Sequence, residues 1–238
     1  MPDLNRRHFL RTGLVGLATG AGVLVLRSNA QPTPDSGELG SYGDYLQRNG
    51  ESVEDAPTPN NAPWQPTEPN ILGPFFRAGA PFRGKITPPL EPGDVLLIRG
   101  RVWGFDTRQP LTSAVLDIWQ ANAKGRYDND DPRHPPEEDV FLNRARLRVD
   151  EQGYYEYETI HPGAYRIAPQ QWRPPHIHYL VRCPGYKRVI TQLYFKGDPH
   201  LATDPFIKDS LIIDLETVEA GDRAYRVGTF DIVLAPQD

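Results

Sequence analysis

From Ile71 onward, short apolar and β-branched runs alternate with glycines and prolines, and no long stretch places apolar residues at a 3.6-residue period. That rhythm constrains the fold more than any other feature of the chain. Helices that cover a core need the 3.6-residue repeat, whereas strands need only short runs bounded by turns. The runs at 94–105 (DVLLIRGRVWGF), 113–121, 153–160, 176–183, 188–195, 210–215 and 225–234 read as strands. They predict an all-β, two-sheet antiparallel β-sandwich with long loops. Twenty-five prolines, about twice the average share, suit such a loop-rich fold. The longest polar stretch in this part, YDNDDPRHPPEEDVFLNRARL at 127–147, is too long for a hairpin turn. Loops of that kind often carry function.

The first 66 residues are different material. The chain opens NRRHFLRTGLVGLATGAGVLVLRSNAQ, with Arg6 and Arg7 ahead of a glycine-rich apolar stretch and small residues at Ser28 and Ala30. This reads as a twin-arginine secretory signal over residues 1–30. The apolar stretch from Thr12 to Leu26 has only 15 residues, short of the ~20 that span a bilayer, which favours a cleaved signal over an anchor. The expected location is periplasmic or extracellular, reached through the twin-arginine export machinery. Residues 31–66 are rich in Pro, Asn, Asp and Thr and read as an arm or linker, leaving residues 67–238 for the sandwich. Without residues 1–30 the chain keeps 22 Lys+Arg and 30 Asp+Glu, a net charge of −8. An acidic chain with no basic run is a poor nucleic-acid binder. The lone Cys183 cannot form an internal disulfide and reads as a small buried strand residue.

Six histidines are spread over the chain, and two of them stand one residue apart in WRPPHIHYLVRC, at His176 and His178. On an extended segment they share a face, about 7 Å apart along the strand. Two imidazoles there can share a metal, or can simply be polar residues on a solvated face. A zinc site would need a third ligand, and His161, His200, Asp128 and Asp198 lack diagnostic spacing. Two tyrosines offer other chemistry. Tyr127 ends WQANAKGRY at the mouth of the polar stretch, and Tyr165 follows the Pro162-Gly163 turn. A phenolate is a hard anionic donor suited to Fe(III), although a tyrosine after a turn is more commonly a hydrogen-bonded rim residue.

Four segments in order, LDIWQANAKGRYDN, YYEYETIHPGAYRI, WRPPHIHYLV and VITQLYFKGDP, resemble the intradiol ring-cleavage dioxygenases, with a core like that of the protocatechuate and catechol enzymes. The resemblance runs from about Pro69 to the C-terminus and implies the family's transthyretin-like sandwich. It also implies a mononuclear non-haem Fe(III) held by Tyr127, Tyr165, His176 and His178. Tyr165 and His178 would be axial, and Tyr127 and His176 equatorial. Arg173 and Gln192 match the family's active-site arginine and glutamine. Tyr165, Arg173 and Gln192 would be catalytic, with Tyr165 serving as ligand and then as base. NILGPFF at 70–76 looks like a substrate-pocket wall, with Gly73 and Pro74 nearest the substrate. The implied reaction is cleavage of a catechol-type diol by O2 to a muconate-type diacid.

The family's helical dimerisation segment has no room here, and the arm takes its place, so a homo-oligomer and the ring substituent are left open. Two other readings compete. One is a secreted β-sandwich module that binds aromatic ligands or wall polymers without cleaving rings. The other is a zinc hydrolase. On the bland view, Arg173 is a surface salt-bridge partner and Gln192 an exposed strand residue. Trp103, Trp119 and Trp172 are expected in the core or the pocket wall.

Overall fold

The structure, a computed structural model, describes residues 64–238; the signal and residues 31–63 of the arm lie outside them. Twelve strands are present among the described residues: β1 (Val95–Gly104), β2 (Val115–Gln120), β3 (Arg144–Arg148), β4 (Tyr154–Ile160), β5 (Tyr165–Ala168), β6 (Gln171–Arg173), β7 (His176–Arg182), β8 (Val189–Phe195), β9 (Ile212–Ile213), β10 (Leu215–Ala220), β11 (Arg223–Thr229) and β12 (Ile232–Leu234). They form two five-stranded sheets and one two-stranded hairpin. The first sheet runs β10-β11-β1-β12, with β4 also on β1, and the second runs β3-β2-β7-β8-β9. This is the nearly all-β sandwich that the rhythm of the sequence predicts.

Most pairs are antiparallel, but β1 pairs in parallel with β11 and β12, and β8 in parallel with β9. Parallel neighbours need a long connection, and these strands return to their partners only after the chain has visited other elements. Two expected strands prove to be broken. The 210–215 run switches sheets at Asp214: β9 pairs with β8, while β10 pairs with β11. The 225–234 run breaks at Phe230 and Asp231, where the Asp231 carboxylate accepts the Arg101 N–H at 2.7 Å. One strand within the polar stretch, β3, was not expected. Its Ala145 and Leu147 face the core, but the flanking arginines disguise the period.

The two sheets are covered differently. In β4, Tyr155, Tyr157 and Thr159 are buried while Glu156 is exposed, the alternation of a sheet with one wet face. In β7, HIHYLVR, every residue but the last is buried. On the core face of that strand, Ile177, Tyr179 and Val181 belong to the same buried cluster as Leu96, Ile98 and Ile232. Across the sandwich, the hydroxyls of Tyr157 and Tyr179 meet at 2.5 Å. The opposite face of β7 carries His176 and His178 under a roof of loops, where a second cluster forms around Trp119, Tyr127 and Leu180.

Candidate metal centre

Strand pairing assembles the floor. In register, Trp119 of β2 lies beside His178 of β7, which lies beside Gln192 of β8; His176 lies beside Tyr194. Cross-strand neighbours on one face are in contact distance, so the row Trp119–His178–Gln192 is a direct product of the ladder. Trp119 stacks flat on the His178 ring, with centroids 4.7 Å apart and planes 7° apart.

Two turns deliver the tyrosines. After β2 the Asn122 side chain accepts from the N–H groups of Lys124 and Arg126, both at 3.0 Å, and closes the turn before Tyr127. The turn before Tyr165 packs onto it backbone to backbone. A Cβ on Gly125, whose φ is +72°, would lie 2.3 Å from the Ala164 oxygen, and one on Gly163 would lie 2.4 Å from the Ala123 oxygen. Only glycine permits this approach, and it sets the rings of Tyr127 and Tyr165 edge to face at 5.7 Å. The β5–β6 hairpin then pairs Tyr165 with Arg173 across the strands.

Three of the candidate donors converge, and Tyr165 lies beside them. His176 Nδ1 donates to the Pro174 carbonyl at 2.7 Å, so its Nε2 carries a lone pair. That Nε2 lies 3.1 Å from His178 Nε2 and 3.4 Å from the Tyr127 hydroxyl. The Tyr165 ring centroid is 5.6 Å from that of His176. Burial, reinforced by Arg173, pushes the His176 pKa down to about 3. Burial, then the neighbouring His176, pushes His178 well below its ordinary value. Both rings are therefore neutral, the form that binds metals. His178 Nδ1 is buried with no hydrogen bond of good geometry, although the Ile71 backbone exerts a weak raising influence. Its ring is oriented by Trp119 and by Gly73, where an added Cβ would lie 3.3 Å from His178 Cε1. Burial raises the pKa of Tyr127 far above the ordinary phenol value, and Tyr165 adds to the rise. Tyr165 is raised by burial too, against the opposing pull of Arg173. Phenolates in such a place need a cation, and two phenolates with two neutral imidazoles fit a trivalent, hard one.

Beside the donors lies a polar network. Arg173 is buried, contrary to a surface-bridge role. Its Nε donates to Asp204 at 2.6 Å, and its Nη2 to Gln192 Oε1 at 2.6 Å and to the Tyr194 hydroxyl at 3.1 Å. Gln192, fully buried, donates from Nε2 to the Ile71 carbonyl at 2.9 Å, which fixes its amide orientation. Gly73 and Pro74 sit in the loop over His178, and Pro74 is exposed. In the same loop Phe75 stacks on Tyr127 at 4.3 Å, and Phe76 meets Trp119 at 4.9 Å.

The other candidate ligands are elsewhere. Asp128 is locked by Arg144 and Arg77, Arg144 also donating to the Phe75 carbonyl at 2.5 Å. The His161 ring lies tilted against Phe195, and His200 stacks on Trp172. Among the described residues no group of three His, Cys, Asp or Glu is placed to hold a metal. Trp103 and Trp119 are buried as expected, whereas Trp172 is 37% exposed. Cys183 is buried and free. The sequence reading missed Asp204, Tyr194 and Arg144. Tyr194 had a signal, since it stands two residues past Gln192 and must share its face. Asp204 reads as an ordinary Asp-Pro turn.

Comparison with known proteins finds relatives in both sequence and fold. A family model described as a dioxygenase matches residues 71–236. Chlorocatechol 1,2-dioxygenase of Rhodococcus opacus is 33% identical over 220 residues, covering 83% of this chain and 83% of that protein. An intradiol ring-cleavage dioxygenase of Aspergillus niger is 35% identical over 170 residues, covering 63% of this chain; this chain spans about half of its length, 53%. The solved dioxygenase domain of a dioxygenase–carbohydrate-binding protein fusion from Streptomyces sp. SirexAA-E superposes with a TM-score of 0.59 at 33% identity, covering 73% of this chain and all of that one.

Proposed function

We propose that this chain, which belongs to the intradiol ring-cleavage dioxygenase family, opens the ring of a catechol-type diol with O2 at a mononuclear non-haem Fe(III) held by Tyr127, Tyr165, His176 and His178. The observation that carries this is the convergence of Tyr127, His176 and His178 on one buried point beside Tyr165, backed by Arg173 and Gln192. When bound, the ferric ion supplies a Lewis acid that favours the phenolate and diolate forms and an electron-accepting centre that makes the diolate ring reactive towards O2. The bond between the two hydroxylated carbons breaks, and each carbon takes one oxygen atom of O2. The ring itself supplies the four electrons, so no further reductant is needed.

The chain's own residues account for the rest. Tyr165 is part-exposed while Tyr127, His176 and His178 are buried, so of the four it is the side chain that an incoming diol meets first. It takes a substrate proton there, with Arg173 favouring its charged form. The Arg173 guanidinium, held in a dry pocket, offsets the negative charge that develops on the ring and its oxygens. Gln192 keeps the guanidinium in place. Phe75, Phe76 and Trp119 keep water from the donors. We also propose export by the twin-arginine route to the periplasm or the exterior, on the strength of Arg6, Arg7 and the apolar run behind them. Replacing both arginines with lysine should abolish export of a periplasmic reporter fused to residues 1–30; undiminished export would overturn that part.

The test of the catalytic reading is the full chain purified and reconstituted with ferric iron. It should show a tyrosinate-to-iron band in the visible and consume one O2 per catechol, yielding a diacid. A colourless, zinc-binding protein that stays inactive after iron reconstitution would remove the reading. Aromatic binding without O2 uptake by the iron-loaded protein would favour the ligand-binding sandwich instead.

A further inference from the structure

Arg173 has five N–H donors, and three of them are committed within the protein: Nε–H to Asp204, and the two on Nη2 to Gln192 and Tyr194. The pair with Asp204 is buried on both sides, with side chains 4% and 0% exposed. Asp204 in turn is tied to its own loop. Its Oδ1 accepts the Phe206 N–H at 2.9 Å, and its Oδ2 accepts Arg173. The Phe206 ring lies 4.9 Å from the guanidinium carbon. Asn70, at the start of the loop over His178, donates to the Phe206 carbonyl at 2.8 Å. Arg173 is thus gripped along one edge by Asp204, on one face by Phe206 and at Nη2 by β8. Nη1 is the nitrogen outside that grip, and Arg173 stands directly opposite Tyr165 in the β5–β6 hairpin.

We propose that Asp204 is a positioning residue for ring cleavage: by holding Arg173 Nε it fixes the guanidinium plane and directs Nη1 towards the substrate side of the Tyr165 hydroxyl. The inference rests on the proposed function for its kinetic consequences, but the grip itself can be read without turnover. The chemistry of the site makes the carboxylate specific. Asp204 uses one oxygen for the loop and the other for Arg173. An asparagine has a single acceptor oxygen, so it must present its NH2 either to the Phe206 N–H or to the Arg173 Nε–H, and one grip is lost. A glutamate keeps the charge but displaces it by one methylene.

The test compares Asp204→Asn and Asp204→Glu with the parent, each checked for iron content, the visible band and thermal midpoint. Both variants should load iron and keep the band, since Asp204 is not a donor. Asp204→Asn should lower kcat on the order of 10-fold to 100-fold while anaerobic catechol binding changes little, and Asp204→Glu should recover part of the loss. In an Arg173→Ala background, Asp204→Asn should cost no more than about 2-fold further, because a residue acting through Arg173 has nothing left to act on. Independently of activity, the Arg173 Nε–H should give a hydrogen-bond-shifted, slowly exchanging 15N NMR resonance in the gallium-loaded parent and lose it in Asp204→Asn. Turnover of Asp204→Asn within 2-fold of the parent, losses that multiply in the double variant, or an Arg173 resonance unchanged by the substitution would each overturn the proposal. A parent with the shifted resonance but no O2 uptake would count against the ring-cleavage reading and leave the grip standing.

Discussion

At the scale of single residues, the proposed site separates groups that would hold a metal from groups that would meet charge. Arg173 belongs to the second kind, and its burial beside Asp204 changes what its loss should do. An exposed bridge would cost at most ~1 kcal/mol of stability. Here Arg173→Ala strands a buried carboxylate, and the expected destabilisation is about 3 kcal/mol or more. Its kcat should fall on the order of 100-fold, with anaerobic catechol binding largely kept, and Arg173→Lys should rescue only in part because a point charge lacks the planar fork. Parallel titration and turnover assays decide this; binding lost in step with turnover would argue against a role at the ring-attack step. The two tyrosines should also part company. Tyr127 is buried against Phe75, so Tyr127→Phe should chiefly alter the visible band, whereas Tyr165→Phe should keep some iron and lose much of its rate. Normal turnover by Tyr165→Phe would remove it as the base. Sequence alone supplied these residue identities through the family resemblance. It could not supply Asp204, because an Asp-Pro turn looks the same whether or not an arginine from a distant strand lies against it.

At the scale of elements, the donors are placed by turns and by register. The approach of the 122–126 turn to the 163–164 turn depends on glycine at both contacts, so Gly163→Ala forces backbone apart where its Cβ would lie 2.4 Å from the Ala123 oxygen and 2.6 Å from the Gly125 nitrogen. The expected cost is about 1–3 kcal/mol, together with weaker iron loading and a shifted visible band as Tyr127 and Tyr165 separate. Gly84→Ala is the matched control: nothing lies within 4 Å of its Cβ position, and stability should stay within about 0.5 kcal/mol. Equal iron affinity in both variants, measured by chelator competition, would show that the turn contact does not set the site. The same scale explains the misread strands. β3 carries Arg144, fully buried among Asp128, Asn129 and the Phe75 carbonyl, and an arginine reads as loop until its partners are known. The 210–215 run looks like one strand because its residues suit either sheet; the change of partner at Asp214 has no local signature.

At the scale of the whole molecule, burying a pair of neutral histidines makes stability depend on pH. His176 titrates at about 3 in the fold and near ~6.5 when unfolded. His161 is half-buried, and that burial, with Arg226 nearby, pushes it down to about 4. Above about pH 6.5 these groups are neutral in both states and contribute no pH dependence. As pH falls below that value the unfolded chain takes up protons that the fold refuses, and stability declines until the folded pKa values are reached. The iron-free protein should therefore show a urea midpoint that is level above pH 7 and falls between pH 6.5 and 5, before most carboxylates titrate. His176→Asn should flatten that slope. A midpoint constant from pH 7 to 5 would contradict the neutral, buried imidazoles. What the sequence by itself determined is what local pattern can encode: an all-β chain, the approximate strands, and two histidines obliged to share a face by the two-residue period of a strand. The tertiary structure alone decided which face that was, that it would be roofed and dry, and which distant side chains would meet there. Pairing partners and burial are set by contacts between residues far apart in the chain, and a charged side chain carries no local mark of whether its counter-charge will be water or Asp204.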